Sequence, residues 1–323
     1  MRLMTTTVPE PPHDPSIQTV LLAAAAGAVV AAVMVTLGVL GLKLYGGMLF
    51  VATPLAMGVT AGFALNARAD ASGVQTMAAL GAMFALSGVG FLLFAVEGLI
   101  CLLMSLPLAA PMSFLGAKLG RQMARGRARP ATLFLGLLVL PLGAGAEVVL
   151  ASTPMLREVL SVVEIDAEPD RVWSNVIEFP QLAEPAEWWF KAGLAYPRYA
   201  SIEGRGVGAV RSCVFSTGAF IEPITAWEPG RRLAFDVAES PAPLRELSPY
   251  GNIHPPHLDG YFRSRRGEFR LVALPGGRTQ LEGRTWYELD MAPLWYWQWM
   301  TDRVIHSIHL RVLDHIKRES ERD

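Results

Sequence analysis

The feature that most constrains this chain is a set of long apolar stretches in its first half. Val20–Leu42 contains no charged side chain at all. A helix needs roughly 20 apolar residues to cross the ~30 Å hydrocarbon layer of a bilayer, and this stretch meets that length. Lys43, Tyr45, Gly46 and Gly47 then form a short turn, and Met48–Leu65 is a second apolar run with Pro54 inside it. A membrane helix tolerates such a proline because neighbouring groups satisfy the freed carbonyl. Val74–Ala117 is 44 residues long with one charge, Glu97. As one helix it would be about twice the membrane thickness, so it must fold back, with the corner at Glu97-Gly98. Ala131–Leu150 is a fifth run. The expectation is an all-α membrane bundle of about five helices at 20–42, 48–65, 74–96, 99–117 and 131–150, after an N-terminal tail of residues 1–19. The tail, Met1 to Gln18, has several prolines and no basic n-region, so the first run reads as a retained helix, not a signal peptide.

Small residues recur at four-residue spacing in these runs, as at Gly27 and Ala31 or Gly81 and Ala85. Such spacing lets helix backbones approach closely in lipid, although alanine-rich helices also produce it by chance. Basic residues are concentrated in one short loop, at Lys118, Arg121, Arg125, Arg127 and Arg129. Positive charge marks the cytoplasmic side. With that loop inside and five helices, the chain reads as a multi-pass protein of a bacterial inner (cell) membrane with its C-terminal domain on the outer face. Arg68 then falls inside as well, while Glu97 and Glu147 fall at the outer boundary.

From Arg157 onward the composition is that of a globular domain. The whole chain of 323 residues has a net charge of −1, and no basic stretch with interleaved aromatics points to nucleic acid. Its two cysteines, Cys101 and Cys213, lack metal-type spacing. Ser161–Ile165 reads as a strand, and Glu168-Pro169-Asp170 opens a helix. Short β-rich runs follow at Ala209–Phe215, Phe220–Trp227, Leu233–Val237, Arg263–Ala273 and Thr279–Leu289. Pro275-Gly276-Gly277 separates the last two as a hairpin turn. A long helix from about Leu294 to Arg318 closes the chain. Its apolar stripe holds Trp297, Thr301, Val304, Ile305, Ile308, Val312 and Ile316, the pattern of a helix packed on a sheet.

This order of elements, with the opening VVEIDAEPDRVW, the GVGAVR segment at Gly206–Arg211, the AWEPGRRL turn and the closing WYELDMAP, resembles the START-like superfamily, also called the polyketide cyclase/dehydrase and lipid-transport (SRPBCC) superfamily. The resemblance covers about Leu160 to Arg318. It implies an α+β helix-grip domain over residues 160–323: an antiparallel sheet curved around the last helix, with an apolar ligand cavity between them. It makes Trp188, Trp189, Arg211, Phe215, Trp227, Tyr287, Trp297, Thr301 and Ile308 candidate ligand-binding residues. A proline-rich insertion, PAPLRELSPYGNIHPPHLDG, lies between Val237 and Tyr261. It is a lid if it packs at the cavity mouth and a long loop elsewhere.

Other constellations are weaker. His254, His257 and Asp259 could together bind zinc, but prolines separate the histidines and a solvated loop is the plainer reading. His306 and His309 are three apart on the last helix and read as surface histidines, whereas His315 projects near the core stripe. Trp295 and Trp299 suit a membrane interface or a pocket. Asp236, Glu282, Arg284 and Glu288 are charges on strands, some of which could face the cavity. No cofactor or metal is expected. The partners expected are the bilayer and an apolar small molecule, not nucleic acid.

Three functions fit. One is a membrane-tethered module binding a lipid or other large apolar molecule. Another is a cyclase- or dehydratase-type enzyme acting on an apolar substrate, and the third is a protein-interaction or sensory domain. Convergent ionisable side chains deep in the cavity favour the enzyme, an apolar lining favours binding, and a filled core favours protein interaction.

Overall fold

A computed structural model describes residues 14–41, 45–126, 155–251, 253–255, 258 and 260–322. The chain divides into two compact units, residues 1–96 with 101–151 and residues 97–100 with 152–323. The expected fifth helix at Ala131–Leu150 and the basic residues Arg127 and Arg129 lie outside the described residues.

Among the described residues the first unit carries four helices long and apolar enough to cross a membrane. Helix α1 (Ile17–Val35) starts at Ser16, whose hydroxyl accepts from the Thr19 N–H, and continues as a wider π-type turn over Thr36–Gly41. The second span opens with another π-type turn at Met48–Ala52, where the Thr53 N–H reaches back to the Met48 carbonyl, and runs on as α2 (Thr53–Asn66). Pro54 is the second residue of α2, directly after the π-type turn. Helix α3 (Gly73–Leu93) begins with a capping box between Ser72 and Gln75. Helix α4 (Leu99–Ala124) follows the expected corner at Glu97-Gly98.

On α1 the buried residues are Val20, Ala23, Ala24, Gly27, Ala31 and Val35, whereas Leu21, Leu22, Val29 and Val33 are exposed. So many exposed large apolar side chains beside small buried ones suit surroundings as apolar as the interior. Of the two small-residue pairs noted in the sequence, Gly27 and Ala31 do sit at a helix contact, with Gly27 against Met83 and the Met57 carbonyl. Gly81 and Ala85 do not: Ala85 is exposed and Gly81 has open space beside it. The tightest crossing involves pairs the sequence reading did not single out. Gly58 and Gly62 of α2 face the Ser113 and Ala117 backbone of α4, while Gly116 and Gly120 face the Leu55 and Val59 carbonyls in return. A Cβ at any of the four would overlap a carbonyl oxygen. The Ser113 hydroxyl also donates to the Pro54 carbonyl at 2.8 Å, satisfying a polar pair where no water reaches. At one end of the bundle Arg125 Nε donates to Asp70 at 2.8 Å, which brings the α2–α3 loop and the basic end of α4 together.

The second unit is a seven-stranded antiparallel sheet in the order β1-β7-β6-β5-β4-β3-β2. Its strands are β1 (Arg157–Ile165), β2 (Pro197–Glu203), β3 (Val210–Phe215), β4 (Gly218–Glu228), β5 (Arg232–Asp236), β6 (Phe262–Leu274) and β7 (Arg278–Leu289). Two short helices, α5 (Pro169–Ile177) and α6 (Trp188–Lys191), connect the edge strands β1 and β2, and α7 (Leu294–Glu321) closes the chain. Register shifts in β2, β4 and β6 mark bulges, which increase local twist and curl the sheet into a half-barrel. Between β6 and β7, Gly276 and Gly277 both hold positive φ (+83° and +74°), the backbone the hairpin turn demands. The core joins the concave sheet face to α5 and α7, with Val172, Ile224, Leu233, Leu281, Leu313 and Ile316 fully buried or nearly so. This is the expected α+β architecture, an antiparallel sheet curved around the long last helix.

The face of α7 differs in detail from the expected stripe. Ile305, Val312 and Ile316 are buried, but Leu313 and His315 join them, while Thr301, Val304 and Ile308 are only half-buried. Leu313 lies 3.4–3.7 Å from where a Cβ of Gly283 would stand, so the glycine lets the helix settle close to β7. The insertion is tied down as a strap. Ala238 N–H donates to Ile221 O at 2.9 Å, Ala195 N–H to Pro243 O at 3.0 Å and Arg245 N–H to Gly193 O at 2.8 Å. It therefore runs across the β3–β4 hairpin and the turn after α6.

The glycine crossing yields a direct test. Gly62→Val should lower the stability of the full chain in detergent micelles by about 1–3 kcal/mol, the usual cost of overpacking. Gly81→Val, with open space beside it, should leave the thermal unfolding curve nearly unchanged.

Candidate functional site

The sequence places a charged residue on the apolar face of two neighbouring strands. Side chains alternate across a strand, so Arg211, Cys213 and Phe215 share one face of β3, and Phe220, Glu222 and Ile224 share one face of β4. Arg211 pairs with Glu222, and Cys213 with Phe220, in the β3–β4 register. Both charges therefore enter the concave side of the sheet together.

There they form a buried ion pair. Arg211 is 1% exposed and Glu222 5%. Arg211 Nη1 donates to Glu222 Oε2, and Arg211 Nε donates to the Ile177 carbonyl at 3.1 Å. The rings of Phe179, Phe235 and Phe269 stand around the guanidinium with centroids 5.5, 5.6 and 5.6 Å away. Each can stabilise the cation through its π face. Arg211 Nη2 has no hydrogen-bond partner among the described residues. Burial opposes the Arg211 charge, but Glu222 and Cys213 together hold the guanidinium pKa above its ordinary value. Burial pushes the Glu222 carboxyl up, with Arg211 pulling against it. The Cys213 thiol beside them is pushed up by burial to about 12, so it is a packed thiol and not a nucleophile.

Other sequence candidates fall into three groups. Phe215 and Trp227 pack against the same core as Arg211, Phe215 edge-on to Phe220 and Trp227 edge-on to Trp173. Tyr287, Trp297, Thr301 and Ile308 belong to β7 and α7. Tyr287 is fully buried and its hydroxyl donates to Asp302 at 2.7 Å. Trp188 is 62% exposed and meets Trp189 edge-on in α6, and neither belongs to the concave-face core cluster. The four strand charges noted in the sequence stay off the concave face. Asp236 is exposed, Glu282 pairs with Arg284 at 2.8 Å, and Glu288 pairs with Arg265 at 2.5 Å on the opposite side of the sheet. Of the possible zinc residues, His257 and Asp259 lie outside the described residues.

His306 is at the surface as expected, but His309 corrects the expectation of a second surface side chain. The Ser161 hydroxyl lies 2.6 Å from His306 Nδ1 and 3.0 Å from His309 Nδ1, and His309 Nε2 lies 2.8 Å from the Thr285 hydroxyl. His306 is exposed, but His309 is half-buried between the helix and strands β1 and β7. An apolar stripe locates only the apolar part of a helix face. Here the facing strands present Ser161 and Thr285, so the helix answers with polar groups. His315 is buried, edge-on to Phe179 with centroids 6.0 Å apart, and its Nε2 has no partner among the described residues.

Glu222, Cys213, Phe179, Phe235 and Phe269 were not among the sequence candidates. The signal for Glu222 was present: a lone acid at an apolar-phase position of Phe220–Trp227, opposite a lone arginine in Ala209–Phe215.

No protein-family model matches the chain, and no curated protein matches it either. Solved structures resemble its C-terminal half. The Zhui aromatase/cyclase of a Streptomyces species is 16% identical, with 52% of this chain and 95% of that chain covered and a TM-score of 0.35. Truncated norcoclaurine synthase of Thalictrum flavum is 13% identical, with 52% and 94% covered and a TM-score of 0.33. A Chromobacterium violaceum protein is 14% identical, with 51% and 98% covered and a TM-score of 0.32. These likenesses concern the fold and carry no argument about ligand or reaction.

The buried histidine sets a pH dependence. Burial, and then the neighbouring His306, hold the His309 pKa down to about 4, against an ordinary 6.5. The unfolded chain therefore binds the extra proton first as pH falls. This contribution is complete above pH 6.5 and is lost as pH drops toward 4, amounting to on the order of 2–3 kcal/mol. Thermal unfolding of the full chain between pH 7 and 4.5 should show a smaller fall in Tm for His309→Asn than for the wild type.

Proposed function

We propose that this chain is a membrane-associated binding module whose C-terminal unit holds an apolar small molecule bearing one oxygen acceptor. The observation that carries the reading is Arg211: a guanidinium 1% exposed, framed by three phenylalanine rings, with one nitrogen lacking a hydrogen-bond partner among the described residues. A donor left unsatisfied in an apolar interior costs about 1–3 kcal/mol, and a ligand carbonyl, phenolate or carboxylate oxygen would recover that cost. The aromatic surroundings suit a hydrophobic body attached to that oxygen. Phe215, Trp227 and Phe269 would contact that body.

The same ion pair favours a second reading, an enzyme of the cyclase or dehydratase type. A guanidinium can polarise a carbonyl, and a carboxyl raised by burial can shuttle a proton. The binding reading comes first because the Glu222 carboxylate is already engaged by Arg211.

The test uses the full-length protein and mass spectrometry of what co-purifies. Arg211→Met alone should destabilise by about 3–5 kcal/mol, because it leaves Glu222 buried without a partner. The double variant R211M/E222L replaces both charges with apolar groups and should recover most of that loss. If Arg211 anchors the ligand, the double variant should fold and yet lose the compound. A double variant that folds and retains the compound in wild-type amount refutes the anchor. Recovery of one unchanged compound supports binding; recovery of a substrate and product pair supports the enzyme.

The reading also places the chain in a bacterial inner membrane with five spans, the basic end of α4 in the cytoplasm and the C-terminal unit outside. A reporter active only in the cytoplasm, fused after Asp323, should stay silent. Strong activity there would reverse the orientation and imply an even number of spans.

A further inference from the structure

A second candidate site lies apart from the Arg211 pair, in an open groove of about 550 Å³ between β1 and the first half of α7. That volume is in the range of small-molecule pockets. One wall is apolar. Leu160 and Trp299 are 44% and 49% exposed there, beside Val159. The helix side presents Arg303 and His306, three residues apart on one face. Arg303 lies over the Trp299 ring at 4.7 Å, and no carboxylate pairs with it among the described residues.

Both carboxylates of the groove are engaged by arginines, Glu158 by an Arg284 that it shares with Glu282. Asp302 accepts from Arg157 Nε, 3.0 Å from each carboxylate oxygen, from Arg157 Nη2 at 2.6 Å and from the Tyr287 hydroxyl at 2.7 Å. Glu158 pairs with Arg284 at 3.0 Å. His306 is oriented from behind by a hydrogen-bonded chain. The chain from Thr285 through His309 and Ser161 to His306 is satisfied with its protons running in either direction. A carboxylate in the groove selects the direction in which Ser161 donates to His306 Nδ1, with the His306 proton on Nε2, the edge of the ring turned away from Ser161. The groove thus offers an apolar wall, one guanidinium with no carboxylate partner among the described residues and one imidazole edge.

From this complementarity we infer that the groove binds a single-chain amphiphile with a carboxylate head, a long-chain fatty acid. Its tail would lie along Leu160, Val159 and Trp299, and its head would meet Arg303 and His306 Nε2. The size of the groove and its paired cation and donor argue for one small anionic head, not for a bilayer face.

The test is photolabelling of the full chain in nanodiscs of zwitterionic phosphatidylcholine. The probe is a long-chain carboxylate with a diazirine in its tail, and labelled peptides are mapped by mass spectrometry. Label is expected on the peptides containing Leu160 and Trp299. Arg303→Glu should reduce it by about tenfold or more, a change of about 1.4 kcal/mol, while Arg303→Lys retains most of it. The long-chain alcohol with the same tail should label these peptides weakly. Equal labelling by the alcohol, or unchanged labelling in Arg303→Glu, overturns the inference. Label confined to the spanning helices also overturns it, as partition into the bilayer only. In R211M/E222L the groove label should persist. Its loss there, with an unchanged unfolding curve, would mean that the probe reports the concave face, and would overturn the groove site without touching the Arg211 reading.

Discussion

Arg211 carries a full charge into the middle of the C-terminal unit, and a charge there is costly unless everything around it answers. The effective penalty for burying one ion is several kcal/mol even after relaxation, so the surroundings must return most of it. Glu222 supplies the counter-charge from the next strand, the Ile177 carbonyl closes the last turn of α5 onto Nε, and three rings supply π faces. These contacts come from α5, the segment after it, and strands β3 to β6. The concave face is therefore organised around an electrostatic requirement as well as an apolar one.

The opposite side of that face shows the same logic with weaker charges. Between β1, β7 and α7 a polar seam replaces apolar packing: Tyr287 and Arg157 on Asp302, then Ser161, Thr285 and the two histidines. Arg157 and His306 stand at its exposed margin, the other members are buried or half-buried, and each has a partner on the facing element. Helix α7 is thus held by apolar contacts near its C-terminal half and by directional hydrogen bonds near its N-terminal half. Directional bonds fix the rotation of a helix about its own axis better than dispersion contacts do, which accounts for the displacement of its buried face from the apolar stripe.

In the membrane half the deciding constraint is the approach of backbones. Apolar surroundings give no reason to bury leucine in preference to leaving it outside, so helix association depends on close packing and the few polar pairs. The paired glycines of α2 and α4 allow that approach, and the Ser113 to Pro54 bond uses it. The length and purity of the apolar runs told where these helices lie; they said nothing of which faces meet, because nearly every face is equally apolar. That is why Gly81 and Ala85 looked as good in sequence as Gly58 and Gly62.

In the C-terminal half, six of the seven strands, the Pro275-Gly276-Gly277 hairpin and the terminal helix were legible because alternation, turn chemistry and helical periodicity are local; the edge strand β2 (Pro197–Glu203) was not. The sequence alone thus determined a chain of apolar helices followed by an antiparallel sheet and a long helix. It also named Arg211, Phe215 and Trp227, which do share the concave side. It did not reveal Glu222 as the partner of Arg211, or Ser161 and Thr285 as the partners of two histidines some 24 to 148 residues away in the chain. Those pairings depend on strand register and on the rotation of α7. Only the tertiary structure decides these, because a charge or hydroxyl on a strand is indifferent to its face until another element supplies its counterpart.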